Sequence, residues 1–267
     1  MMSMSDAFAQ SRLPLTRIIA WLAAAFLLLP LLVVIPISFT PERYLSLPTD
    51  SVSLRHYGSL VSDGRWSKSI VDSLLVGIGA MVLATLMGTA FAVGAWRLGV
   101  PLARRLRLLL LAPIIVPPIV HAIAFYRAWA ALGLLDTYLG LVLVHAMKGL
   151  PFVVLTVAGT LANLDPRLEQ AARSLGADAR QAMSWVIFPQ IRAGIVAGAA
   201  FAFITSWDET IVALFITSRA VTTLPRRIWE GLADNIDPAI AALGTVMIVL
   251  TFVAVAFTAT RGASAKA

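Results

Sequence analysis

Few side chains in this sequence can do chemistry, and most stand in or beside long apolar runs. Asp208 and Glu209 are adjacent carboxylates behind Trp207 in "ITSWDETIVALF". Acids so close to hydrocarbon are costly and usually face a cavity or a partner. Beside an indole face, the two can attract an ammonium by charge and by the ring quadrupole. They can equally cap a span in solvent, or pair with Arg226 or Arg227. His145 and Lys148 are three apart and share a helix face. Counted inward from Tyr138 at 1.5 Å per residue, Lys148 lies about 15 Å deep, near mid-bilayer. A lysine there needs a partner, and its face must look into the bundle. It lines a path, or it satisfies carbonyls freed by Pro151. In a pathway it repels a polyamine and favours a solute bearing a carboxylate or phosphonate. His121, after "PIIVPP", reads as a packing residue before a ligand. Tyr126, Trp129 and Trp229 fit an interfacial aromatic belt before substrate contacts.

This set carries no catalytic or metal site. There is no cysteine, so thiolate chemistry and disulfides are excluded. His121, His145 and Lys148 lack a partner set for nucleophile, acid or metal. No glycine-rich lysine loop for nucleotide phosphates occurs, so the chain is not expected to be an enzyme or to hydrolyse ATP by that route.

The elements that must position these groups are membrane spans. The 267 residues are 59% hydrophobic and 13% charged, against about 25% charged in soluble chains. Runs of 18 or more apolar residues recur, each long enough to cross a hydrocarbon core. They lack the alternation of a membrane barrel. The fold class is therefore an all-α membrane protein with six transmembrane helices, over residues 17–39, 69–96, 108–129, 139–161, 191–215 and 239–260. The first run is too long for the core of a cleaved signal peptide and holds Pro30 and Pro36. The second is rich in small residues, which let helices approach closely. Pro113, Pro117 and Pro118 break or kink the third.

Six spans put both termini on one side. With the N-terminus inside, twelve Lys and Arg fall inside and eight outside. The bias is clearest in "RLGVPLARRLR", with Arg97, Arg104, Arg105 and Arg107. Lys and Arg in short loops set orientation, so both termini read as cytoplasmic. Arg104, Arg105 and Arg107 are topology anchors first and lipid contacts second. The net charge of +7 has the same origin and does not call for nucleic acid. Residues 1–16 and 262–267 read as cytoplasmic tails around a transmembrane domain at 17–261.

One inside loop, residues 165–190, is unusually polar: "DPRLEQAARSLGADARQAMSWVIFPQ". Asp165 is a candidate N-cap with Pro166 at the first helical position. Residues 167–175 favour helix, Gly176 marks a turn, and Asp178 caps a second helix over 179–187 that stops before Pro189. Leu168, Ala171, Ala172 and Leu175 make a small apolar face suited to a shallow groove on another protein. An amphipathic connector lying at the interface is the alternative.

This stretch resembles the cytoplasmic "EAA" loop of binding-protein-dependent ABC importer permeases. Gln170, Ala171, Ala172 and Gly176 keep its spacing. Nine residues on, Val186 and Phe188 take its Ile and Leu places, and Pro189 closes it. Gln170 stands where the family most often has glutamate, with Glu169 just before it. The resemblance covers roughly residues 18–261. It implies a type I ABC importer transmembrane domain whose coupling helix docks on a separate cytoplasmic ATPase, through Arg167, Leu168, Glu169, Gln170, Ala171, Ala172, Arg173, Ser174, Leu175 and Gly176. It also implies partners: a homologous second permease, two ATPase subunits that hold ATP and Mg, and a periplasmic solute-binding protein. The setting is the bacterial inner membrane, and this chain itself holds no cofactor.

Ser206, Trp207, Asp208 and Glu209, then Thr223, Leu224, Pro225, Ile228 and Trp229, are similar to the second permease of spermidine/putrescine importers. That group also takes opines, aminoalkylphosphonates and gamma-aminobutyrate. Trp207, Asp208, Glu209, Lys148, His145, Tyr126 and Trp229 are the substrate-pathway candidates. Contact between the acids and a paired permease, and pairing of Lys148 across that dimer, are its structural alternatives. A secondary transporter predicts internal repeats and independence from ATP, and a membrane enzyme needs a cluster of catalytic groups at one depth.

Overall fold

The computed structural model describes residues 4–49, 51–165, 167–233 and 236–264, with side chains from 15 to 257 except Arg104. Pro166 and the side chains of Arg12, Arg104, Arg261 and Lys266 lie outside the described residues. Every described element is a helix. Among the described residues, five helices are long and apolar enough to cross a membrane, or six when one bent pair counts as a single span.

The chain divides into two units, Met1–Gly64 with Glu230–Ala267, and Arg65–Trp229. The first holds α1 (Met4–Ile37), α2 (Arg55–Ser62) and α12 (Ala239–Ser264). Its helix begins at Met4, so the backbone of the expected N-terminal tail is largely helical; the apolar span within it is Leu15–Ile37. Past α1 the chain is fastened by Ser38 to Tyr57 at 2.6 Å and by the His56 ring to the Glu42 carbonyl at 2.9 Å.

The second unit carries the candidate residues. α3 (Gly64–Leu98) is followed by α4 (Pro101–Ile115) and α5 (Pro118–Leu132), which meet at 105° across Val116 and Pro117. Pro117 and Pro118 supply no N–H and bar the preceding residue from helical geometry, so the expected break falls there, while Pro113 stays inside α4. Then come α6 (Tyr138–Ala162), α7 (Arg167–Ser174), α8 (Ala179–Ala182), a π-helix (Met183–Ile187), α9 (Phe188–Trp207), α10 (Ile211–Ile216) and α11 (Leu224–Ala233).

α6 and α9 pack antiparallel at very short range. A Cβ on Gly198 would lie 2.6 Å from Thr156 Oγ1 and 2.9 Å from Val153 Cα, and one on Gly149 would lie 2.9 Å from Ala202 Cβ. Gly194, Gly198, Ala202 and Ser206 recur every fourth residue and form this face of α9; all four are buried. Without a solvent-driven hydrophobic force in lipid, such close backbone contact is what holds helices together. α3 joins the seam through Gly88 against Val153 and Gly77 against Phe203.

Two expected boundaries shift. The fifth span runs Ala179–Trp207, not 191–215. Its start does not stop before Pro189, because the π-helix intervenes: Phe188 N–H bonds the Met183 carbonyl, five residues back. That wider turn accommodates a proline that has no N–H to give and a ring that crowds the preceding turn. Its end falls at Trp207, and residues 211–216 form the separate α10.

Candidate functional site

The polar loop builds its own scaffold. Asp165 accepts from Arg167 N–H at 2.9 Å, starting α7. Gly176 closes it with φ +93°, a left-handed conformation that side chains rarely adopt, while Ala177 N–H reaches back to the Ala172 carbonyl. Asp178 caps α8 by accepting from Arg180 and Gln181, and Gln181 returns the bond to Asp178 N–H. None of the residues of α7 is buried, and Leu175 is 90% exposed. A polar tie runs from α7 to a spanning helix: Arg97, at the end of α3, meets Glu169 at 2.7 Å. Gln170 lies beside that pair in a cavity of about 620 Å³, lined also by Trp96, Arg173 and Ala179.

The opposite end of the α6–α9 seam holds the charged cluster. His145 Nδ1 lies 2.7 Å from Ser206 Oγ, with the histidine buried. One turn on, Lys148 pairs with Glu209, their side chains 11% and 8% exposed. The other oxygen of Glu209 accepts from Val212 N–H at 3.0 Å and so caps α10. Glu209 therefore sits at the depth of Lys148, in the break between the end of α9 at Trp207 and the start of α10 at Ile211. The adjacent carboxylates do not act together: Asp208 is exposed, and Glu209 is buried. Nor do Arg226 and Arg227 join them. Arg226 donates to Thr217 Oγ1 at 2.6 Å, and Arg227 lies over the Trp66 ring at 5.6 Å. Trp207 stacks on Phe203, ring centroids 5.6 Å apart.

Two carboxylates that the sequence reading passed over organise the ends of these helices remote from α7. Asp136, itself at φ +55°, accepts from the backbone N–H groups of Ser218, Arg219, Ala220 and Val221. Burial alone raises the pKa of its carboxyl, and those four donors outweigh burial and hold it at about 2. Its own N–H meets the Ile216 carbonyl at 2.8 Å. Asp72 of α3 accepts from Lys68, from Tyr138 Oη at 2.6 Å and from Thr222 N–H at 2.9 Å. Ser73 beside it accepts from Leu224 N–H at 2.6 Å. Together they tie the α5–α6 turn, α3 and the segment after α10 into one clasp.

Residues 80–260 match the family described as the binding-protein-dependent transport system inner membrane component. The chain belongs to that family. Its relatives include the spermidine/putrescine transport system permease proteins PotC of Haemophilus influenzae, 27% identical over 90% of this chain and 93% of that one, and of Escherichia coli, 28% identical over 86% and 87%. The trehalose transport system permease SugB of Mycobacterium tuberculosis is 28% identical over 76% of each chain. The fold is shared with a crystal structure of a bacterial ABC transporter involved in import of the acidic polysaccharide alginate, at TM-score 0.67 and 18% identity over 98% of both chains.

This permease is thus a multi-pass inner-membrane subunit of an ABC importer, a transport subunit and not an enzyme. Such a permease works with a partner permease, an ATPase and a solute-binding protein. Of its sequence-predicted pathway residues, Lys148, His145 and Glu209 come together. Trp229 and Tyr126, in α11 and α5, are 56% and 48% exposed. His121 is buried at the start of α5. Asp72 carried a signal, a carboxylate inside an apolar run. The spacing of Gly194, Gly198, Ala202 and Ser206 carried another.

Proposed function

We propose that the permease moves an amine-bearing solute, a polyamine such as spermidine or putrescine, from a periplasmic binding protein to the cytoplasm. The observation that carries this reading is Glu209, a carboxylate held near mid-depth with a cation already against it. Relatives named for polyamine transport over most of the chain support it. Pairing answers the objection that Lys148 repels a polyamine, since the lysine charge is matched by Glu209. Asp208 and Trp207, just outward, offer a first attraction to an ammonium.

In this reading both termini are cytoplasmic, flanking a transmembrane domain over 17–261, and residues 167–176 dock in a groove of an ATPase that holds ATP and Mg. Two ATPase copies and a homologous second permease complete the assembly. ATPase closure moves α7, and the spans open outward to take solute; no bond in the solute breaks. Opines, aminoalkylphosphonates or gamma-aminobutyrate form a second reading, favoured if Lys148 leaves Glu209 and meets a carboxylate or phosphonate.

Proteoliposomes holding the assembled importer and internal ATP test the choice. Uptake of radiolabelled spermidine with binding protein outside, abolished by omitting ATP and undiminished by excess gamma-aminobutyrate, supports the polyamine reading. Competition by gamma-aminobutyrate but not putrescine refutes it.

A further inference from the structure

A second cavity, of about 320 Å³, shares Trp96 with the one beside Glu169. No transport step described above uses it. Phe91 and Trp96 of α3 wall one side, Val154, Ala158 and Leu161 of α6 the other, and Arg107 of α4 lines it as well. Val154 stands eight residues before the end of α6, and Phe91 seven before the end of α3. At 1.5 Å per residue the cavity reaches about 10–12 Å inward from the span ends, from headgroup level into hydrocarbon. It is apolar in depth and carries a guanidinium at one border.

Arg107 is exposed, as is Arg105 two residues earlier, and neither has an ion-pair partner among the described residues. Basic pockets between spanning helices suit anionic lipid headgroups. A helix about 10 Å across does not enter so small a space, whereas one acyl chain does. We propose that this cavity binds an anionic glycerophospholipid, its phosphate on Arg107 and one acyl chain between α3 and α6. The site depends on neither the identity of the solute nor the coupling reading.

The test uses the assembled importer in phosphatidylcholine nanodiscs. Phosphatidylglycerol or phosphatidylcholine with brominated chains is titrated in, and quenching of Trp96 is read as the difference from a Trp96→Phe importer. Phosphatidylglycerol quenches at about five-fold lower mole fraction, the preference one arginine near a headgroup contributes. Arg107→Gln levels the two lipids, and Ala158→Phe, which fills the cavity, removes quenching by both. Equal quenching by the two lipids in the unmodified importer overturns the proposal, as does a preference that survives Arg107→Gln. Trp96 left unquenched by either lipid also overturns it, since a partner subunit then covers the cavity.

Discussion

Removing one member of the Lys148–Glu209 pair is predicted to cost far more than removing both charges. The two side chains are 11% and 8% exposed, so Lys148→Met strands a carboxylate whose one remaining donor is Val212 N–H. Breaking a buried pair this way costs about 3–5 kcal/mol. At about 3 kcal/mol, and about 2–4 °C per kcal/mol for a chain of this size, the midpoint falls by about 6–12 °C. Glu209→Gln strands the ammonium and costs a similar amount. The double variant Lys148→Met/Glu209→Gln leaves no buried charge. Its amide oxygen can still cap α10, and the unpaired amide N–H₂ costs about 1–3 kcal/mol. The double loss is therefore about 2 kcal/mol, where additivity gives about 6. Thermal unfolding of the three variants in one nanodisc lipid measures this directly. A double variant as unstable as the sum of its singles refutes the pairing.

Four further outcomes follow from the same geometry. Gly176→Pro, whose ring cannot reach φ +93°, and Ala172→Trp on α7 uncouple ATP hydrolysis from uptake while insertion stays normal; uptake at the native rate counts against the loop assignment. Arg97→Glu and Glu169→Arg each lower uptake per ATP hydrolysed, and the double reversal restores it; failure of the rescue removes that pair from coupling. Gly198→Ala forces a Cβ to 2.6 Å from Thr156 Oγ1 and lowers the yield of folded protein several-fold by size-exclusion chromatography. The carboxyl of Asp136 titrates at about 2 when folded, below its unfolded value, so its stabilisation is present above the unfolded value and is lost as pH falls toward 2. Amide exchange at Ser218 to Val221 should stay protected at pH 5 and above, and Asp136→Ala should open it there.

The polar loop over 165–190 was legible in sequence because its determinants are local. Asp165, Gly176 and Asp178 each act within four residues along the chain. The end of the fifth span was not, since "IVALFI" is as apolar as the residues before Asp208. What ends α9 at Trp207 is a set of distant ties: Lys148 on Glu209, and Asp136 on the residues after α10. Asp72 and Thr222 are 150 positions apart, beyond the reach of periodicity. Adjacency made Asp208 and Glu209 look like one site, and the helix break turned them apart. The depth of Lys148 demanded a partner but could not name it.

The seam between α6 and α9 has a mechanical meaning. At one end the two rods are joined by the chain itself through α7, and at the other they are riveted by His145–Ser206 and Lys148–Glu209. A hairpin pinned at both ends resists sliding of one rod along the other. A push delivered at α7 is thus passed on as a tilt of the whole hairpin. With about 21 Å of rod from the end of α6 to Lys148, a tilt of a few degrees displaces the riveted end sideways by about an ångström.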